Sequence, residues 1–109
     1  MSWVDDVKLE LARASEAEES GNAGKARTSA RRAVGSAISE LQRCFPQRRY
    51  GGDTLRQLRS FADDATLPEE VQRAAFRLQS KISADFKSRS VNPIADAMTI
   101  IEFIRSRLS

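Results

Sequence analysis

The chain has 109 residues, enough for one hydrophobic core and too few for two domains of ordinary size, so residues 1–109 are read as a single domain. Hydrophobic residues make up 40% and charged residues 30%, with five glycines and three prolines, which excludes a disordered tail and favours a globular helical domain. There is no histidine and a single cysteine, Cys44. That removes His-based triads, the commonest metal ligand, an intrachain disulfide and a thiolate metal cage, so neither metal nor cofactor is expected. The opening Met1-Ser2-Trp3-Val4-Asp5-Asp6 carries acids where a secretory signal carries bases. No apolar run nears the ~18 residues that span a bilayer. The expected setting is the cytoplasm, away from membranes.

The net charge of +3 is unevenly spread. Residues 1–20 carry six acids and two bases, and residues 21–49 carry seven bases and one acid. The expectation is that two antiparallel neighbours pair by charge as well as by apolar contact.

The first helix, about Trp3 to Glu19, aligns Trp3, Val7, Leu11 and Ala14 on one face, with Asp5 and Asp6 in the first turn, where acids suit the helix dipole. Ser20-Gly21-Asn22 stops it and caps the next. The second helix, about Ala23 to Phe45, gathers Ala26, Ala30, Ala33, Ala37, Leu41 and Cys44 on one side, with Val34, Ile38 and Phe45 beside them. On its wheel Lys25, Arg32 and Arg43 face water, whereas Arg27 and Arg31 flank the apolar stripe and are expected to find carboxylates.

Pro46 ends that helix, and Gln47-Arg48-Arg49-Tyr50-Gly51-Gly52 reads as a basic loop. A short third helix follows, capped by Asp53 and turning Leu55, Leu58, Phe61 and Ala62 inward. Thr66 with Glu69 predicts a capping box for the fourth, with Pro68 in its first turn. Its core stripe is Val71, Ala74, Ala75, Leu78, Ile82 and Phe86, and Arg73, Arg77 and Lys81 repeat on the other face. After a linker over Asp85 to Val91, Asn92-Pro93 opens the last helix. That helix buries Ile94, Ala97, Met98, Ile101, Ile104 and Leu108, while Ile100 and Phe103 project from its other side. The fold class is all-α, an up-and-down four-helix bundle with one additional short helix.

Two stretches carry a family resemblance. Ala14-Ser15-Glu16-Ala17-Glu18-Glu19-Ser20-Gly21-Asn22, leading into Ala26-Arg27-Thr28-Ser29-Ala30-Arg31-Arg32-Ala33, resembles the first helix pair of the HEPN domain family. Val91-Asn92-Pro93-Ile94-Ala95-Asp96-Ala97-Met98-Thr99-Ile100-Ile101 is similar to the start of that family's last helix. The resemblance implies a helical bundle, commonly dimeric, found in RNases, toxin–antitoxin components and partners of nucleotidyltransferases. It also implies, in catalytic members, an Arg followed four to six residues later by His. Here Arg89 is the best-placed arginine, and Ile94, Ala95 and Asp96 stand where the His would fall. With Asn92, Arg89 and Asp96 are the remnants of that motif. An ordinary carboxylate, with a pKa of ~4, replaces imidazole poorly at neutral pH.

Other candidates are weaker. Gly21-Asn22-Ala23-Gly24-Lys25 has the flavour of a phosphate loop but lacks the preceding strand and the Ser or Thr after its lysine, where Ala26 stands. Asp63-Asp64 and Glu69-Glu70 border helix ends, where capping already favours acids. Cys44 is expected in the core. Lys25, Arg32, Arg43, Arg48 and Arg49, with Tyr50 to stack on a base, form the nucleic-acid candidate. Ile100 and Phe103 are the candidate interface anchors. The preferred expectation is a homodimeric or partner-binding module without RNase chemistry, a nucleotidyltransferase-type protein being one possible partner. The alternative is a nucleic-acid or nucleotide-binding effector.

Overall fold

The computed structural model describes residues 2–80 and 92–108, all of whose regular elements are helices. Helix α1 spans Trp3–Glu19 and begins where the Ser2 hydroxyl accepts from the Asp5 amide at 3.3 Å. It ends in a two-bond reversal. Gly21, at φ +79°, donates to the Glu18 carbonyl at 3.1 Å, and Asn22 donates to that of Ala17 at 2.7 Å. Asn22 then serves the next element, its Oδ1 accepting from the Lys25 amide at 3.0 Å. Three residues thus suffice to return the chain along α1.

Helix α2, Ala23–Cys44, is about 33 Å long and packs against α1, α3 and α5. Ala26, Ala30, Ala33 and Ala37 are buried on it, and their small side chains let neighbours approach closely. Val34, Ile38 and Leu41 fill the space between helices. The acidic α1 and basic α2 do pack together, but no ion pair among the described residues joins them. The seam is apolar: Val7, Ala14 and Ala17 of α1 and the alanine stripe of α2 are buried.

Helix α3 (Thr54–Asp63) starts where Asp53 Oδ1 accepts from the Arg56 amide at 2.9 Å. Leu58 and Phe61 are fully buried on it, but Leu55 points outward, 44% exposed, and Gln57 takes the inward place. Gln57 is admitted because its amide has partners: Nε2 donates to Ser39 Oγ and to the Gly51 carbonyl, both at 3.2 Å.

Helix α4 (Glu69–Gln79) does not use the expected capping box. Asp64 is a nearer acceptor, and its Oδ1 takes both the Thr66 amide at 3.0 Å and the Thr66 hydroxyl at 2.6 Å. Thr66 is therefore spent on the preceding turn, and Pro68 becomes the residue before the helix instead of its first member. Burial opposes charge on the Asp64 carboxyl, yet the bonds from Thr66 and Tyr50 outweigh it and hold that group below the usual carboxylate range.

Helix α5 (Pro93–Leu108) opens as expected, with Asn92 Oδ1 accepting from the Ala95 amide at 3.0 Å. It lies between α2 and α4. Its register around its own axis differs from expectation: Ile100 is fully buried with Ala97 and Ile104, whereas Met98 is 45% exposed. Cys44, expected in the core, is exposed at the end of α2. The expected linker over Asp85 to Val91, with Lys81, Ile82, Phe86 and Arg89, lies outside the described residues.

Candidate functional site

The cationic set proposed for nucleic acid is not one free track. Lys25 and Arg32 are exposed on α2. Arg43 is engaged one turn back by Glu40, its Nε donating to Oε2 at 3.0 Å. The bond from Arg43 holds the Glu40 carboxyl below its ordinary value and raises the guanidinium above its own. In the loop after α2, Arg49 is exposed, whereas Arg48 is partly buried and donates to the Tyr50 hydroxyl at 3.4 Å.

Tyr50 itself is turned into the protein, only 5% exposed. Its ring meets Phe61 edge-on with centroids 4.6 Å apart, and its hydroxyl donates to Asp64 Oδ2 at 2.9 Å. Burial pushes the phenol above its usual range, assisted by the bond to Asp64. Gln42 Oε1 fixes the loop by accepting from the amides of Tyr50 and Gly51 at 2.6 and 3.2 Å. The ring therefore offers no free face to a base.

Two of the three residues singled out by the resemblance have structural partners. Asn92 caps α5, and Asp96 faces α4, where Arg77 Nη2 donates to Oδ1 at 2.8 Å and Arg77 Nε lies 3.2 and 3.3 Å from the two oxygens. This forked pair ties α4 to α5, and the bond to Asp96 raises the Arg77 guanidinium. The third member, Arg89, lies outside the described residues. One acid of each adjacent pair is similarly employed: Asp64 in the turn before α4, and Glu69 in an ion pair with Arg73 at 2.6 Å. Among the described residues Arg27 and Arg31 pair with no carboxylate and donate instead to backbone carbonyls at the end of α4. Among the described residues no helix is long and apolar enough to cross a membrane.

The interface anchors fare differently from each other. Ile100 is inside the core and has no outward face. Phe103 is half-buried against the core, and the Arg107 guanidinium lies 5.3 Å from its ring centroid, which covers part of the remaining face. The most exposed large apolar side chains among the described residues are Leu9, Leu55, Phe76 and Met98, each between 44% and 46% exposed.

Two of these border depressions, Phe76 one of about 320 Å³ on α4 and Leu9 a larger one. This larger, open depression of about 530 Å³ runs along α2 between α1 and the start of α3. Its wall on the α1 side is Asp6, Leu9 and Glu10, and its floor on α2 includes Arg32, Gly35 and Ser36. Gly35 sets the shape: a Cβ there would come within 2.6 Å of Thr54 Oγ1, so its absence lets α3 begin directly against α2. Glu10 pairs through Oε1 with Arg13 at 2.8 Å, leaving Oε2 buried without a hydrogen-bond partner. Arg32 and Asp6 share the groove yet make no ion pair among the described residues. Sequence periodicity had no means of finding this groove, because its walls come from three helices and its floor depends on one glycine. Comparison with protein-family models, with curated proteins and with solved structures finds no match to this chain.

Proposed function

We propose that this chain is a HEPN-like module, an up-and-down bundle in which α3 is the short addition, and that it works by holding a protein surface instead of cutting RNA. The surface we assign is the α1–α2–α3 groove, and its occupant is a second copy of the chain. The supporting observation is Leu9, 46% exposed on the wall of a groove that also holds Arg32 and Asp6, neither of them in an ion pair among the described residues. Across a two-fold axis the same patch meets itself, so Arg32 of each copy faces acids of the other while the two Leu9 side chains leave water.

Magnitudes set what to expect. Burying the exposed half of a leucine is worth about 1 kcal/mol. Two of them fall short of the roughly 8 kcal/mol of a micromolar complex, so the charged rim and the rest of the patch carry the difference and the dimer is weak. The rival reading, a nucleic-acid effector built on α2 and its loop, has less support, since Tyr50 is buried and Arg43 is engaged by Glu40.

Light scattering across a concentration series tests the proposal. The parent is expected to rise from 12.1 kDa toward twice that mass. Leu9→Glu, a change at an exposed helical position, is expected to stay monomeric with unchanged helicity. A parent that remains monomeric at every concentration, or a Leu9→Glu variant that dimerises as well as the parent, overturns it. A nucleotidyltransferase-type protein would then become the occupant to examine.

A further inference from the structure

We propose that the guanidinium groups of Arg27 and Arg31, converging on the C-terminal end of α4, form a binding site for one phosphate group. The inference does not depend on the dimer proposed above, because it rests on a different side of α2.

The two arginines stand one helical turn apart on α2 and reach the same place. Arg27 Nη2 donates to the Arg77 carbonyl at 3.3 Å and to the Ser80 carbonyl, and Arg31 donates to the Leu78 carbonyl through Nε at 2.7 Å and to that of Ser80 through Nη2 at 3.1 Å. A shared acceptor brings two full positive charges side by side. No carboxylate among the described residues lies within ion-pair distance of either. Arg27 is only 6% exposed, and its Nε and Nη1 are buried without hydrogen-bond partners. Arg31 stays partly exposed, and its Nη1 makes no hydrogen bond among the described residues.

Buried charge without a counter-charge is costly, and proteins ordinarily avoid it. The end of α4 supplies some compensation, since the C-terminus of a helix carries about half a negative charge and its last carbonyls lack helical partners. Among the described residues that leaves about one and a half positive charges unbalanced. Burial lowers both guanidinium pKa values, and in Arg31 the charge of Arg27 lowers it further, as the same imbalance requires. A singly charged carboxylate falls short of neutralising the pair. A phosphate group at neutral pH carries about −1.5 to −2 and has oxygens enough to accept from several guanidinium N–H groups. The exposed edge of Arg31 is the point of entry, and Arg27 supplies the second charge from beneath.

If the pair served only to cap α4, its carbonyl bonds would be complete without any ion and phosphate would have no special effect. The two cases separate in a thermal-unfolding series at constant ionic strength, with inorganic phosphate, acetate or chloride as the varied anion. We expect tens of millimolar phosphate to raise Tm by about 5 °C or more, with acetate and chloride leaving it nearly unchanged. In Arg31→Gln, a change at a partly exposed position, the phosphate response is expected to fall below about 1 °C. Titration of inorganic phosphate followed by ³¹P NMR gives a second readout at a temperature where every variant is folded. Adenosine monophosphate in a parallel arm reports whether the phosphate is taken as a free ion or on a larger molecule, and a response to either supports the site. Equal effects of phosphate and acetate, or an Arg31→Gln variant that answers phosphate as the parent does, would overturn the proposal.

Discussion

Phe61→Ala is expected to cost about 3–5 kcal/mol of folding stability, measured by urea unfolding of parent and variant. Phe61 is fully buried on α3 and belongs to the same core as Ile38, Leu41 and Leu78. Its removal leaves a cavity that the surrounding helices fill only in part, and it also strips Tyr50 of the ring it meets edge-on at 4.6 Å. Tyr50 anchors the loop between α2 and α3, so the loss spreads from the core into that loop. Against a typical total of 5–15 kcal/mol, such a loss places the variant near its folding limit. A loss below about 1 kcal/mol would mean that Phe61 does not occupy the hydrophobic core.

Ile100→Glu is expected to abolish folding, whereas Met98→Glu, two residues earlier on the same helix, is expected to preserve it. Ile100 has no exposed surface, and a carboxylate there would sit among α2, α4 and α5 with no partner prepared for it. Met98 is 45% exposed and already borders water. Far-UV circular dichroism at low temperature distinguishes the two: helical signal lost in the first and retained in the second. The reverse outcome would rotate α5 about its axis and return Ile100 to the surface, where the sequence pattern alone had put it.

That contrast shows where sequence reasoning reaches its end. Local features were readable because their causes are local. Ser20-Gly21-Asn22 reverses the chain through one positive-φ glycine and one capping amide, and Asp53 and Asn92 cap their helices through acceptors three residues from the donors. The alanine stripe of α2 was readable too, since Ala26, Ala30, Ala33 and Ala37 leave no other face to bury. Helix α5 was not, because apolar residues surround it and only its neighbours decide between Met98 and Ile100.

Competition explains other differences. Thr66 had the spacing for a capping box, but Asp64 offered an acceptor two residues away and won it. Tyr50 looked like a free aromatic in a basic loop until Phe61 and Asp64, both distant in sequence, gave its ring and hydroxyl better partners than water. Arg27 and Arg31 were placed correctly beside the apolar stripe, yet their acceptors are carbonyls about fifty residues away, which no helical wheel reveals. The groove beside Leu9 combines both difficulties, needing α1, α2 and α3 in place together with the bare backbone of Gly35.

The central claim is that a chain without histidine, whose Asp96 is bound by Arg77, holds its target and leaves RNA intact. The most direct test is to incubate the purified protein with single-stranded RNA, with and without divalent cations, and to follow the RNA on a denaturing gel alongside an Arg89→Ala control. The account predicts full-length RNA in every lane. Cleavage by the parent that disappears in Arg89→Ala would contradict it.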